Sequence, residues 1–268
     1  MLNRNNLKVW LKSVSLVGAL WVANSALAES PEEKGLRIAT ERKAADKGWG
    51  DSIATTKMIL RNAHGEESVR EMRLKALEVN GDGDKGLTIF DRPRDVAGTA
   101  FLNHSHINEP DDQWLYLPAL KRVKRIASRN KSGPFMGSEF SYEDLASFEV
   151  AKYTYKYLRD EVVNGEKCWV LESIPTDRYS GYTKQIVWID QSHYRPQKVE
   201  FYDRKRSLLK TLTMSDYKLY LDKYWRAHTL SMVNHQTGKS TDLLTTETQF
   251  RVGLEERDFE QNALRRAR

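Results

Sequence analysis

The sequence predicts a mainly β protein built on one strongly curved antiparallel sheet. About a dozen segments rich in β-branched and apolar residues follow one another at roughly regular spacing. Turn residues such as those at positions 80–86 separate them, which indicates consecutive hairpins and not βαβ units. Because a sheet of that many strands must curl or split, its concave side would enclose space.

The first 28 residues have the features of a secretory signal peptide. Arg4, Lys8 and Lys12 supply the basic region, an apolar stretch of about ten residues follows, and residues 26–28 (ALA) form a cleavage site. The apolar stretch is much shorter than the about 20 residues that a spanning helix needs. We therefore expect cleavage after Ala28 and release into the periplasm.

Charge and cysteine content indicate how the exported chain is stabilised. The leader holds three of the 43 basic residues and none of the 37 acidic ones, so its removal lowers the net charge from +6 to +3. Cys168 is the only cysteine, which excludes an intramolecular disulfide and disfavours an acylated N-terminal cysteine. Residues 29–268 are therefore expected to form a single domain stabilised by packing or by a filled cavity.

A helix is predicted at residues 31–46, where acidic residues occupy the first turn and glycines at 48 and 50 end the pattern. The strands follow this helix. They are predicted at residues 52–61, 67–79, 86–90, 98–104, 113–117, 122–127, 150–161, 167–174, 185–190, 197–203, 208–221, 225–234 and 240–251.

Residues 130–147 interrupt the strands and form the second segment, after the N-terminal helix, that could cover the concave side. Ser141 and Asp144 have the spacing of a capping box with Asp in place of Glu. This spacing predicts a short helix over residues 141–148.

No motif in the chain predicts catalysis, a metal site or a cofactor. The glycine positions and the missing Glu in residues 80–86 favour a hairpin turn over a calcium loop. His104 and His106 share one strand face, but no third ligand can be nominated, so surface or structural roles are favoured. Cys168 has no neighbouring base and is interpreted as a buried thiol. No G-x-S-x-G is present, and an exported hydrolase is the least supported alternative.

Six basic residues occupy positions 121–131, among them Arg122, Lys124 and Arg125. Two interpretations stay open. The run is either a solvated strand edge whose charges prevent sheet-to-sheet association, or a surface that binds anionic lipid head groups or an acidic partner. Nucleic acid is disfavoured as a partner because an exported protein rarely meets it.

The chain carries much aromatic area for a sheet with little helix to cover it. Residues 114–117 (WLYL) are apolar on both faces of their strand, and Phe101, Trp188, Phe201 and residues 153–157 add to them. These side chains form either a packed core or the lining of an apolar ligand cavity, and the sequence leaves both open.

Four strings in this order resemble the outer membrane lipoprotein-sorting protein family, a LolA-like branch of periplasmic proteins. They are residues 91–95 (DRPRD), 98–102 (GTAFL), 114–126 (WLYLPALKRVKRI) and 135–145 (FMGSEFSYEDL). The resemblance implies an unclosed β-barrel of about eleven antiparallel strands, with helices over a concave side that holds acyl chains or another lipid. It also implies a partnership with inner-membrane transporters of the RND or MMPL type.

The sequence and this resemblance together lead to two functional hypotheses. The first is a non-enzymatic periplasmic carrier of a lipid or of a lipoprotein acyl chain. The second is an accessory subunit that has no ligand and docks on such a transporter through Arg122, Lys124 and Arg125. For the carrier, the residues expected to contact the ligand are Phe101, Trp114, Tyr116, Phe135, Met136, Phe140, Tyr142 and Leu145.

Overall fold

Thirteen antiparallel strands form one curved, unclosed sheet in the computed structural model, which describes residues 29–266. The proposed leader, residues 1–28, lies outside the described residues. The mainly β fold is confirmed, with two strands more than the about eleven that the family resemblance implied. The strands are β1 (Asp51–Arg61), β2 (Glu67–Leu77), β3 (Lys85–Arg92), β4 (Ala100–His104), β5 (Asp112–Leu117), β6 (Arg122–Ile126), β7 (Tyr153–Val163), β8 (Glu166–Pro175), β9 (Tyr182–Asp190), β10 (Pro196–Asp203), β11 (Leu208–Tyr220), β12 (Tyr224–Asn234) and β13 (Ser240–Phe250).

The strand order joins two meanders through the first and last strands. The order is β6-β5-β4-β3-β2-β1-β13-β12-β11-β10-β9-β8-β7, so β6 and β7 are the two free edges of the sheet. Bulges interrupt the register of the pairs β1/β13, β2/β3, β7/β8 and β10/β11. Each bulge bends its strand and increases the local twist, which curves the sheet.

Residues 127–152, which we call the insert, connect the two free edges. Because β6 and β7 lie at opposite ends of the sheet, this connection must cross its open side. Phe135 and Phe140 of the insert are buried in one cluster with Met58, Met72 and Phe101. The insert therefore fills part of the concave side with apolar side chains, each contributing roughly 2 kcal/mol when fully buried.

The predicted short helix at 141–148 is reduced to one 3-10 turn, Tyr142–Leu145. The capping box of Ser141 and Asp144 is present as predicted, but Ala146 is already extended, with φ −77° and ψ 152°. A helix this short does not recover the free energy of nucleating its first turn. Its side chains instead contact the sheet individually.

The N-terminal helix, α1 (Pro31–Ala45), is confirmed and covers the concave side at β7. Ser30 caps it: the backbone N–H of Glu33 donates to Ser30 Oγ at 3.1 Å, and Ser30 N–H donates to Glu33 Oε2 at 2.8 Å. Ile38 and Ala39 are its buried apolar residues. No helix within residues 29–266 is both long and apolar enough to cross a membrane.

The convex face is covered near β3–β5 by a C-terminal segment that the sequence analysis missed. Helix α2 (Gln261–Leu264) and the preceding 3-10 turn place Phe259 and Leu264 against Leu102 and Trp114. The side chains of Phe259 and Leu264 are fully buried. This packing explains why β5 is apolar on both faces.

Candidate functional site

A buried ion pair fixes the insert to the sheet. Asp144 accepts hydrogen bonds from Lys210 Nζ at 2.6 Å, from the Tyr182 hydroxyl at 2.7 Å and from Ser141 N–H at 2.7 Å. The Lys210 and Asp144 side chains are only 4% and 5% exposed. A charge pair this deeply buried destabilises the fold unless all its hydrogen bonds are made. The position of the insert is therefore sharply defined.

Glu139 adds three contacts from the insert to neighbouring strands. Its carbonyl oxygen accepts from Lys210 Nζ at 2.8 Å, its carboxylate accepts from Asn234 Nδ2 at 2.7 Å, and its N–H donates to Thr241 Oγ1 at 3.0 Å. The insert is thereby attached to β11, β12 and β13.

Glu143 attaches the other end of the turn to the loop before β9. Its carboxylate accepts from Gly181 N–H and from Ser180 Oγ, both at 2.8 Å. Burial raises the pKa of Glu143 above its usual value, although these two hydrogen bonds act in the opposite direction.

Beyond the turn, the concave side of β7–β11 is not filled and encloses a cavity of about 710 Å³. Its walls are α1, residues 143–153 of the insert and β7, and the loops at 107–111 and 175–180. This volume lies in the range of sites for small ligands. The apolar floor comprises Leu171, Val187, Ile189, Val199, Phe201, Leu212 and Met214.

Ion pairs occupy the polar part of the wall. Lys131 Nζ lies 2.5 Å from Asp177 Oδ2, and Lys152 pairs with Asp111. Glu109 and Arg178, on the two loops, are exposed. The cavity thus combines an apolar floor with a polar opening, as an amphiphilic ligand requires.

Solved structures share this architecture. A crystal structure assigned to an outer membrane lipoprotein-sorting protein domain from Vibrio parahaemolyticus is 71% identical, with a TM-score of 0.86 over 87% of this chain and 99% of that one. The chain belongs to the outer membrane lipoprotein-sorting protein family.

Two further solved structures are similar to this member of the lipoprotein-sorting protein family. A DUF1329 family protein from Desulfovibrio piger is 27% identical, with a TM-score of 0.83 over 88% of this chain and 99% of that one. A LolA superfamily protein from Nitrosomonas europaea shares the fold at 20% identity, with a TM-score of 0.68 over 85% and 98%. A family model described as "Uncharacterized protein" matches residues 82–266. The comparison with curated proteins gave no match.

Six of the eight predicted ligand residues lie in or against the concave core cluster that includes Met58, Met72 and Phe101. The ring centroids of Phe101 and Phe135 are 5.2 Å apart, and Tyr142 lies 5.5 Å from Phe101 and 5.6 Å from Phe135. Phe140, Met136 and Leu145 pack in the same cluster. None of these side chains lines the cavity, so their contact with a ligand stays a prediction.

Trp114 and Tyr116, the other two, lie on the convex side. Trp114 is buried in the cluster of Phe259 and Leu264, and Tyr116 packs against that cluster. Successive residues of a strand point to opposite faces, so it is Leu115 that faces the concave core. Neither aromatic side chain lines the cavity.

The three predicted partner residues lie on edge strand β6. Arg122, Lys124 and Arg125 are exposed, and Arg125 pairs with Asp112. Their binding to a partner or to head groups stays a prediction.

The candidate histidines contact protein groups. His104 Nε2 lies 2.7 Å from the Phe259 carbonyl oxygen, and His106 Nδ1 lies 2.7 Å from Asp82 Oδ2. The second contact lowers the pKa of Asp82 to about 2. Cys168 is fully buried, and burial raises its pKa to about 11, which confirms a buried thiol.

Most of the cavity floor was not predicted from the sequence. Of those residues only Phe201 belongs to the aromatic set that the sequence indicates, because the other six are not aromatic. The missed signals are the apolar run in β9 and the alternation in β10, which place Val187, Ile189 and Val199 on the concave side.

Proposed function

We propose that this protein is a periplasmic carrier that binds a lipid, or the acyl chain of a lipoprotein, in the cavity over β7–β11. Its task would lie in the traffic of lipids or lipoproteins to the outer membrane. The observation that carries the proposal is the cavity itself, with its apolar floor and about 710 Å³ of space. The predicted leader and the family membership support export and a carrier role.

Burial of an acyl chain supplies enough free energy for reversible binding. Each buried methylene contributes about 0.8 kcal/mol, so a twelve-carbon chain gains roughly 9 kcal/mol. Association costs at least about 4 kcal/mol of this gain. The net affinity is then moderate, which suits a carrier that must also release its ligand.

Filling the cavity should abolish binding. Leu212 faces the cavity, whereas its neighbour Thr213 is exposed on the opposite face of β11. We expect Leu212→Trp to weaken binding of the neutral fluorescent probe 1-N-phenylnaphthylamine by tenfold or more, and Thr213→Trp to leave it unchanged. Native mass spectrometry of protein purified from the periplasm should detect co-purified lipid in the wild type and in Thr213→Trp only.

Circular dichroism of each variant controls for folding. A wild-type protein that binds no probe and yields no extractable lipid would contradict the carrier function, as would full binding by folded Leu212→Trp.

A second candidate function is an accessory subunit of an RND-type or MMPL-type transporter. The observation that favours it is the exposure of Arg122 and Lys124 on a free sheet edge. Reversing both charges, in Arg122→Glu with Lys124→Glu, should then abolish co-purification with such a transporter from solubilised membranes. Unchanged co-purification, or no transporter with the wild type, would remove this candidate.

A further inference from the structure

Arg42 is a partly buried basic residue of the cavity wall. It lies in the last turn of α1, and its guanidinium carbon is 4.2 Å from the centre of the Phe148 ring. The next residue, Lys43, does not line the cavity, and its Nζ lies 2.9 Å from Glu149 Oε1. Arg42 thus directs its charge into the cavity between α1 and the insert.

No carboxylate among the described residues neutralises Arg42. Within residues 29–266, none lies within 4.0 Å of its guanidinium, and its side chain donates no hydrogen bond. Asp46, one turn away, pairs with Arg226 at 2.6 Å. The wall has two other partly buried cations, Lys131 and Lys152, and each has an acidic partner.

The tyrosines around Arg42 do not replace a carboxylate. The Tyr155 hydroxyl donates to the Val150 carbonyl oxygen at 3.1 Å, and the Tyr217 hydroxyl donates to that of Pro196. Both phenols stay neutral because burial raises the pKa of each above its usual value. The local environment of Arg42 therefore contains dipoles and aromatic rings but no paired negative charge.

An enclosed cation without a counterion is costly. Arg42 is partly exposed, and the exposed part includes the surface that it contributes to the cavity. The surrounding protein nevertheless desolvates the guanidinium, which lowers the pKa of Arg42. The contact with Phe148 offsets only part of this cost, since a cation–π contact is weaker than a hydrogen-bonded ion pair. A negative charge supplied by the ligand would remove the imbalance.

We propose that Arg42 binds the anionic head group, a carboxylate or a phosphate, of an amphiphile whose tail lies on the apolar floor of the cavity. This inference rests on the proposed carrier function. Because the Arg42 side chain donates no hydrogen bond within residues 29–266, its N–H groups are free to donate two parallel hydrogen bonds to an oxyanion. The chain thereby distinguishes charged amphiphiles from neutral ones of equal length.

The test measures displacement of 1-N-phenylnaphthylamine by three ligands with the same twelve-carbon chain: laurate, dodecyl phosphate and dodecanol. All are used below their critical micelle concentrations. The proteins are the wild type, Arg42→Met, Arg42→Lys and the control Arg37→Met, which removes an exposed arginine of the same helix that does not line the cavity.

In the wild type and in Arg37→Met, at least one of the two anions should bind roughly tenfold or more tightly than dodecanol. Arg42→Met should reduce that preference to less than about threefold without weakening dodecanol, and Arg42→Lys should retain part of it because it keeps the charge but not the fork. The better anion identifies the head group as carboxylate or phosphate. The melting temperature of ligand-free Arg42→Met should not fall, because an unpaired charge has been removed.

Equal binding of all three ligands by the wild type would overturn the inference, as would an anion preference that survives Arg42→Met or disappears in Arg37→Met. These outcomes leave the carrier function intact, because dodecanol still binds. Failure of every ligand and of the probe would instead refute the carrier function, and this inference with it.

Discussion

Lys210 is the residue on which the position of the insert depends most. Its ammonium group reaches both the Asp144 carboxylate and the Glu139 carbonyl oxygen, two groups of the same short segment. It also lies 5.3 Å from the ring centres of Tyr182 and Phe201. Since Phe201 belongs to the cavity floor, one side chain connects the packed half of the concave side to the open half.

Lys210→Met should lower the free energy of unfolding by about 3–5 kcal/mol, because it leaves Asp144 buried without its cation. Urea denaturation would measure the change. The matched control is Lys218→Met on the same strand, where the side chain is half-exposed and Nζ lies 3.9 Å from Asp216 Oδ2. It should lower the free energy of unfolding by less than about 0.5 kcal/mol. A Lys210→Met variant as stable as the control would show that the pair does not anchor the insert.

Helix α1 depends on a close approach to β7. A methyl group at Gly35 would lie 2.9 Å from the backbone nitrogen of Tyr157 and 3.0 Å from backbone atoms of Lys156. Backbone atoms in a paired strand cannot move aside as a flexible side chain could. Glycine at this position therefore sets the distance between α1 and the sheet, and with it the position of Arg42 over the cavity.

Gly35→Ala makes two effects oppose each other. Alanine favours the helix by about 1 kcal/mol, whereas the clash with β7 costs about 1–3 kcal/mol and displaces α1. We expect net destabilisation in urea denaturation, together with weaker binding of the fluorescent probe. Ala44→Gly, at an exposed position in the last turn of α1, isolates the propensity effect and should cost at most about 1 kcal/mol without changing probe binding. A stabilised Gly35→Ala would mean that α1 can move outward freely.

At the scale of the whole molecule, the parts that the sequence predicts are those with local signals. The capping residues of α1, the alternation within strands and the turns between them are each contained in a few neighbouring positions. The location of the cavity is not, because it depends on which half of the sheet the insert fills. That choice rests on contacts such as Lys210 with Asp144, which are 66 residues apart. The C-terminal cover over Trp114 is equally non-local.

The two halves of the concave side should therefore respond differently to a ligand. Phe135 of the insert packs over β3 and β4, against Phe90 and Phe101, whereas the concave side over β7–β11 encloses the cavity. A ligand at about 100 times its dissociation constant stabilises the native state by about 2.7 kcal/mol. Local openings respond to that stabilisation only where they disrupt the ligand site.

Hydrogen exchange followed by mass spectrometry would resolve this difference. Laurate added to delipidated protein should slow exchange in β8–β10 and α1 and leave β2–β4 nearly unchanged, because only the first group contacts the cavity. Leu212→Trp, which occupies the space, should show little change on adding laurate. Equal protection of both halves would mean that the ligand acts by tightening the entire sheet, and the division of the concave side into a packed half and a binding half would then be wrong.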